Sequence, residues 1–96
     1  MNPSSNGLPA KLILAQNYSN PFNPSTTIKY ELPKASRVNL SVFDILGREV
    51  SVLVNERKDG GVYEMKFDGS GMASGVYFYR LQAGTYGETK KLLLLH

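Results

Sequence analysis

Four carboxylates, Asp44, Glu49, Glu64 and Asp68, are the groups from which acid/base hydrolysis would have to be built. That chemistry needs two of them facing one another across a pocket. Their outward or turn positions give no such convergence, so solvated faces are the better reading. The single histidine, His96, sits at the extreme end of the chain and there is no cysteine. A histidine base, a thiol nucleophile and a zinc cluster are therefore not expected. Asp59-Gly60-Gly61 and Asp68-Gly69-Ser70-Gly71 resemble oxygen-rich calcium loops in composition, but they lack the alternating acid spacing and the closing bidentate acid of a calcium shell; turns explain them. The glycines from Gly69 to Gly75 precede an extended run rather than a helix N-terminus, and no Lys-Ser/Thr pair follows, so a phosphate cradle is not supported. No cofactor and no catalytic activity are expected.

The aromatic residues offer binding chemistry instead. Tyr77, Phe78 and Tyr79 could form a sugar-stacking platform, but strand alternation sends Phe78 to the opposite face from the two tyrosines, which favours core. A carbohydrate-binding module would need coplanar exposed rings, and Tyr18, Phe22, Phe43 and Tyr86 are the other candidates. Met72 lies five residues before Tyr77, the spacing of a sandwich corner at which a tyrosine hydroxyl bonds to nearby backbone. Asn17-Tyr18-Ser19 and Asn39-Leu40-Ser41 match the glycosylation sequon, a short pattern that carries no weight here. The closing run Lys90-Lys91-Leu92-Leu93-Leu94-Leu95 pairs charge for approach with apolar side chains on both faces of a strand. Such a strand is either central and covered on both sides or left open for a partner; two-sided apolarity favours the central position.

Positioning these residues falls to a single domain. The 96 residues are 42% hydrophobic and 20% charged, enough apolar surface to fold and too little charge for a disordered polymer. The net charge of +3 is spread in basic runs no longer than two residues, which aids solubility and does not suggest nucleic acid. No export signal or membrane anchor is expected, because the longest apolar run, Leu92 to Leu95, is far short of the ~20 residues that cross a bilayer. All five prolines lie at or before Pro33 and eight of nine glycines at or after Gly47, so rigid extended segments give way to tight turns. Residues 1–11 read as a linker, with the Asn2 to Leu8 approach suited to cleavage, and residues 12–96 as the domain. Asn20-Pro21-Phe22-Asn23-Pro24 excludes helix and predicts a stiff clasp with Phe22 buried as a plug.

Period-two alternation then runs through Thr26 to Leu32, Val38 to Val42, Val50 to Val54, Tyr63 to Phe67, Tyr77 to Leu81 and Glu88 to Leu95, with a turn at Ile45-Leu46-Gly47-Arg48. Six main strands at this spacing predict an all-β fold, an Ig-like antiparallel β-sandwich of about seven strands with Greek-key connections. The inward members give an expected core of Ile28, Tyr30, Val38, Leu40, Val42, Val50, Val52, Met65, Phe67, Tyr77, Tyr79 and Leu81. Ser41 is placed on the solvent side.

Four blocks in order resemble a known family: Gln16-Asn17-Tyr18-Ser19-Asn20-Pro21-Phe22-Asn23-Pro24-Ser25-Thr26-Thr27-Ile28, Val42-Phe43-Asp44-Ile45-Leu46-Gly47-Arg48-Glu49-Val50, Ser74-Gly75-Val76-Tyr77-Phe78-Tyr79-Arg80-Leu81, and Lys90-Lys91-Leu92. Together they are similar to the type A C-terminal sorting domain of the bacterial type IX secretion system. The resemblance implies a non-catalytic address. The cargo lies N-terminal to the domain and is exported through the periplasm, and an outer-membrane translocon recognises the domain. A sortase-like cysteine protease then removes the domain as the cargo reaches the cell surface or medium. It implies that Lys90 to Leu95 form the translocon-read signal, and that Asn20, Pro21, Phe22, Asn23, Pro24, Gly47, Arg48, Gly75 and Tyr77 are structural motif positions. Two positions depart from the family pattern: Ser19 stands where proline is usual and His96 where a terminal lysine or arginine is common. A carbohydrate-binding accessory module and an assembly module akin to flagellar hook-capping domains are the competing readings.

Overall fold

The computed structural model describes residues 8–95; most of the expected linker and His96 lie outside the described residues. Seven strands are found among them: β1 (Ile13–Leu14), β2 (Ser25–Leu32), β3 (Ser36–Phe43), β4 (Glu49–Lys58), β5 (Gly61–Asp68), β6 (Gly75–Ala83) and β7 (Tyr86–Leu94). They form two antiparallel sheets, β1-β2-β5 and β4-β3-β6-β7. The chain crosses between sheets after β2, β4 and β5 and makes hairpins at β3–β4 and β6–β7. The expected Ig-like sandwich is the observed fold.

Alternation works as expected in β2, β3 and β6. Ile28, Tyr30 and Leu32, then Val38, Leu40 and Val42, then Tyr77, Tyr79 and Leu81 point inward and are buried, joined by Phe67 of β5 and by Leu92 and Leu94 of β7. Packing such side chains between the two inner faces supplies the main stabilising term, roughly 1.5–3 kcal/mol for each large apolar side chain removed from water. Met65 is half-buried against this core.

Two expected core residues are not in it. Val50 and Val52 are 43% and 49% exposed. The register explains why: Leu40 faces Val54, Ser41 faces Val52, Val42 faces Ser51 and Phe43 faces Glu49, so Leu53 and Val50 are extra residues on β4. Each extra residue reverses the facing of those that follow. Val54 stays inside, and Val50 and Val52 turn out.

Ser41 corrects a second expectation. It is on the outer face by alternation, yet it is fully buried, flanked by Val52 of β4 and Arg80 of β6. Its hydroxyl donates to Asn39 Oδ1 at 2.9 Å.

Candidate functional site

The β3–β4 hairpin is braced by one carboxylate. Asp44 Oδ1 accepts the backbone N–H groups of Leu46 and Arg48 at 2.9 and 3.0 Å, and Asp44 Oδ2 accepts Arg48 Nε at 2.8 Å. The Arg48 N–H, followed by the other donors, holds the Asp44 carboxyl below its ordinary range. Gly47 has φ of 81°, a left-handed conformation that glycine enters without penalty. The brace leaves Ile45 and Leu46 at the tip in water.

Gly75 opens β6 with φ of 149°, and two residues later the Tyr77 hydroxyl donates to the Ala73 carbonyl at 2.6 Å. With Met72 packed against the core, this is the corner expected from the Met72–Tyr77 spacing. The Asp68 turn is likewise closed by backbone: Ser70 N–H donates to Asp68 Oδ1 at 2.9 Å, lowering that carboxyl. Among the described residues no cluster of three or more potential metal ligands occurs.

The Pro/Asn-rich lead-in forms a strap that runs from the three-stranded sheet to the outer edge of β7. Near its start Tyr18 exchanges backbone bonds with Thr27 of β2 at 2.9 and 2.7 Å. Asn17 is buried, its backbone N–H donating to the Tyr79 hydroxyl at 2.7 Å while that hydroxyl donates to the Ala15 carbonyl at 2.6 Å. Asn17 Nδ2 donates to the Ser19 carbonyl and to Thr26 Oγ1, both at 3.0 Å, and Thr26 Oγ1 donates to the same carbonyl at 2.8 Å. Burial makes the phenolate of Tyr79 costly and pushes its pKa up to about 12.

At the other end Phe22 is 1% exposed, its ring edge-on to Phe67 with centroids 6.0 Å apart. Gly69 leaves room for it: a Cβ there would meet Leu94 Cδ2 at 3.1 Å and Phe22 Cε2 at 3.4 Å. Gly69 N–H also donates to the Pro24 carbonyl at 2.8 Å. Asn20, Pro21 and Asn23 are exposed and Pro24 is half-buried.

The terminal run is an edge strand, not the central one expected, because β7 pairs with β6 alone. Leu92 and Leu94 point into the core, Leu93 is half-buried on the outer face, and Leu95 is 46% exposed. The two lysines do not form one charged patch. Lys91 is exposed beside Phe78, whereas Lys90 lies on the other face with its Nζ 3.3 Å from Glu88 Oε2. Glu88, which accepts the Tyr86 hydroxyl and then faces Lys90, is held below the ordinary carboxylate range.

The strap and β7 meet through four bonds. Gln16 Nε2 donates to the Lys91 carbonyl at 2.7 Å and Leu93 N–H donates to Asn20 Oδ1 at 3.0 Å. Phe22 N–H donates to the Leu93 carbonyl and Leu95 N–H to the Phe22 carbonyl, both at 2.9 Å. Gly47 and Arg48 are not part of this contact, since β6 lies between β3 and β7. Yet Phe43, Phe78 and Lys91 share one row, and Gly75 faces Leu94, so all four motif blocks gather at one end of the sandwich. Sequence reasoning missed Gln16 as a member of this contact, and Asn17, Thr26 and Tyr79 as the residues that seat the strap on β2 and β6. The asparagines and glutamine of the lead-in were the available signal, because polar side chains in a proline-stiffened segment commonly bond to backbone.

Two other candidate sites carry less. An apolar pocket of about 260 Å³ at the opposite end is lined by Leu12, Leu32, Pro33, Lys34, Ala83 and Tyr86 among others, with no carboxylate in its wall. The four-ring carbohydrate platform is not available, because Phe22 is core.

In sequence, no curated protein matches this chain significantly. In structure, it is similar to the crystal structure of dimeric latent PorU from Porphyromonas gingivalis, at 22% identity and a TM-score of 0.65, over 88% of this chain and 9% of that one; that likeness shows the fold. The family model described as "Secretion system C-terminal sorting domain" matches residues 16–95, from Gln16 of the strap to one residue past β7. The chain therefore belongs to the C-terminal sorting domain family of type IX secretion, an export address rather than an enzyme.

Proposed function

We propose that this domain carries an N-terminal cargo across the outer membrane to the cell surface, and that β7 is the part the translocon reads. The cargo reaches the periplasm by an ordinary signal, and a sortase-like protease cuts the chain in the approach from Asn2 to Leu8 as the cargo is attached. The observation that carries this reading is the division of labour along β7. Leu92 and Leu94 hold the strand in the core, while Lys91, Leu93 and Leu95 face outward at a sheet edge. A receptor can contact that outer row without unfolding a domain whose total stability is about 5–15 kcal/mol.

The test fuses residues 1–96 to a periplasmic reporter in a host with the secretion system. Surface delivery is expected from the whole domain and from Lys90→Ser, since Lys90 is engaged with Glu88. Removal of Lys91 to His96 should leave the reporter in the periplasm. Normal delivery from that truncation would sink the reading of β7.

A further inference from the structure

A sheet edge offers a row of backbone groups that another strand can complete. From Lys91 to Leu95 that row is already taken by the strap, but only half of it by backbone. Phe22 supplies one N–H and one carbonyl in the pattern of a parallel bridge to Leu94. The other two partners are side chains, Gln16 Nε2 and Asn20 Oδ1, bonding at exposed positions. Side-chain bonds of that kind exchange readily with water, so the strap holds its edge with fewer backbone bonds than a true strand would make. Residues 17–19 are held elsewhere, on Tyr79, Thr26 and Thr27; over β7 itself the grip comes from one aromatic anchor, Phe22, seated against Phe67, Leu94 and Gly69.

We propose that Asn20 to Phe22, with the Gln16 side chain, are an intramolecular strand mimic over the outer edge of β7, and that an extended peptide strand of a partner docks on this edge by displacing them. The strap itself defines the partner's chemistry. The partner is an extended segment able to give an N–H to the Leu93 carbonyl and a carbonyl to the Leu95 N–H. A large apolar side chain on the residue that makes both bonds, opposite Leu94, would fill the Phe22 seat, which is the logic of strand addition with a side-chain pocket for specificity. The inference rests on β7 being the strand the secretion machinery reads.

The first measurement is amide hydrogen exchange on the whole chain carrying Gln16→Ala and Asn20→Ala, which keeps Phe22. Leu95 is the informative amide, because its acceptor, the Phe22 carbonyl, is untouched. Its exchange is expected to rise about 10-fold, the effect of two net hydrogen bonds lost from the strap, while Leu40 and Leu81 stay as they were. If Leu95 instead exchanges only together with Leu40 and Leu81, the strap does not open on its own and the proposal is wrong. The second measurement adds a synthetic peptide of residues 16–24 to the Phe22→Ala chain. The Leu93, Leu95 and Gly69 amide resonances should shift, and a peptide with alanine in place of phenylalanine should leave them alone. No shift on a folded variant at millimolar peptide overturns the docking site; if Phe22→Ala does not fold, the Leu95 exchange decides. Normal surface delivery after removal of Lys91 to His96 would remove the signal reading without altering either result, so the two failures are separable.

Discussion

β4 and β7 close the same four-stranded sheet on its two sides, and they are protected by unlike means. β4 carries two extra residues, Val50 and Leu53, that bend it and turn Val50 and Val52 to solvent. β7 keeps an unbroken register with β6 over its whole length and is covered toward its end by a segment from the start of the domain. A bulged edge discourages any added strand. A regular edge under a cover is a template that has been occupied. The difference teaches that this sheet has one edge built to refuse pairing and one built for it.

Substitutions on the two edges should therefore differ sharply. Phe22→Ala is expected to cost the most, about 3–5 kcal/mol in urea unfolding, because it empties a packed aromatic site and frees the strap at once. A loss under about 1 kcal/mol would put the weight of the β7 edge elsewhere. Tyr79→Phe comes next, at about 1–3 kcal/mol, since it leaves the Ala15 carbonyl and the Asn17 N–H without their shared hydroxyl. The same hydroxyl makes an alkaline prediction. Its pKa is near 12 folded against an ordinary 10.0, so its contribution is complete below pH 10 and is lost as the pH rises toward 12. Tyrosinate absorbance from Tyr79 should appear together with unfolding over that window, and a phenolate titrating near pH 10 in a folded domain would contradict its burial.

On the β4 side the effects should be smaller. Gly47→Ala is expected to cost about 1 kcal/mol, wholly from its left-handed backbone, because nothing lies within 4 Å of an added Cβ. Val52→Ala should stay within about 0.5 kcal/mol. A cost of 2 kcal/mol or more would mean that the valine row faces a partner or a core, and the contrast between the edges would fail.

Much of this architecture was legible in the sequence, for reasons that also explain the misses. β2, β3 and β6 carry no extra residue of their own, so each apolar residue two along lands in the core and the period can be read directly. β4 has the same alternating valines, but a bulge leaves no mark in composition, and the reading failed at Val50 and Val52. β1 is two residues long and has no period to detect. The buried Phe22 was visible because prolines on both sides stiffen it in an otherwise polar segment. Its partner was not: leucines on both faces of β7 look alike whether the second face meets a sheet, a strap or water. The lysine pair shows the reverse, since alternation alone places Lys90 and Lys91 on opposite faces.

The contacts that seat the strap join residues 62, 73 and 75 positions apart in the chain. Contacts of such long span form late, because the loop between them must first be brought to order. A chain made from its N-terminus exposes Gln16 and Asn20 long before Lys91 and Leu93 exist, so the seam of the sandwich stays open until β7 emerges. Completion is thus a timer as much as a shape. Export machinery that accepts only the closed form would, for that reason alone, pass over every prematurely ended product. Limited proteolysis of ribosome-bound chains of increasing length should show protection of the lead-in arriving in one step, with the last strand.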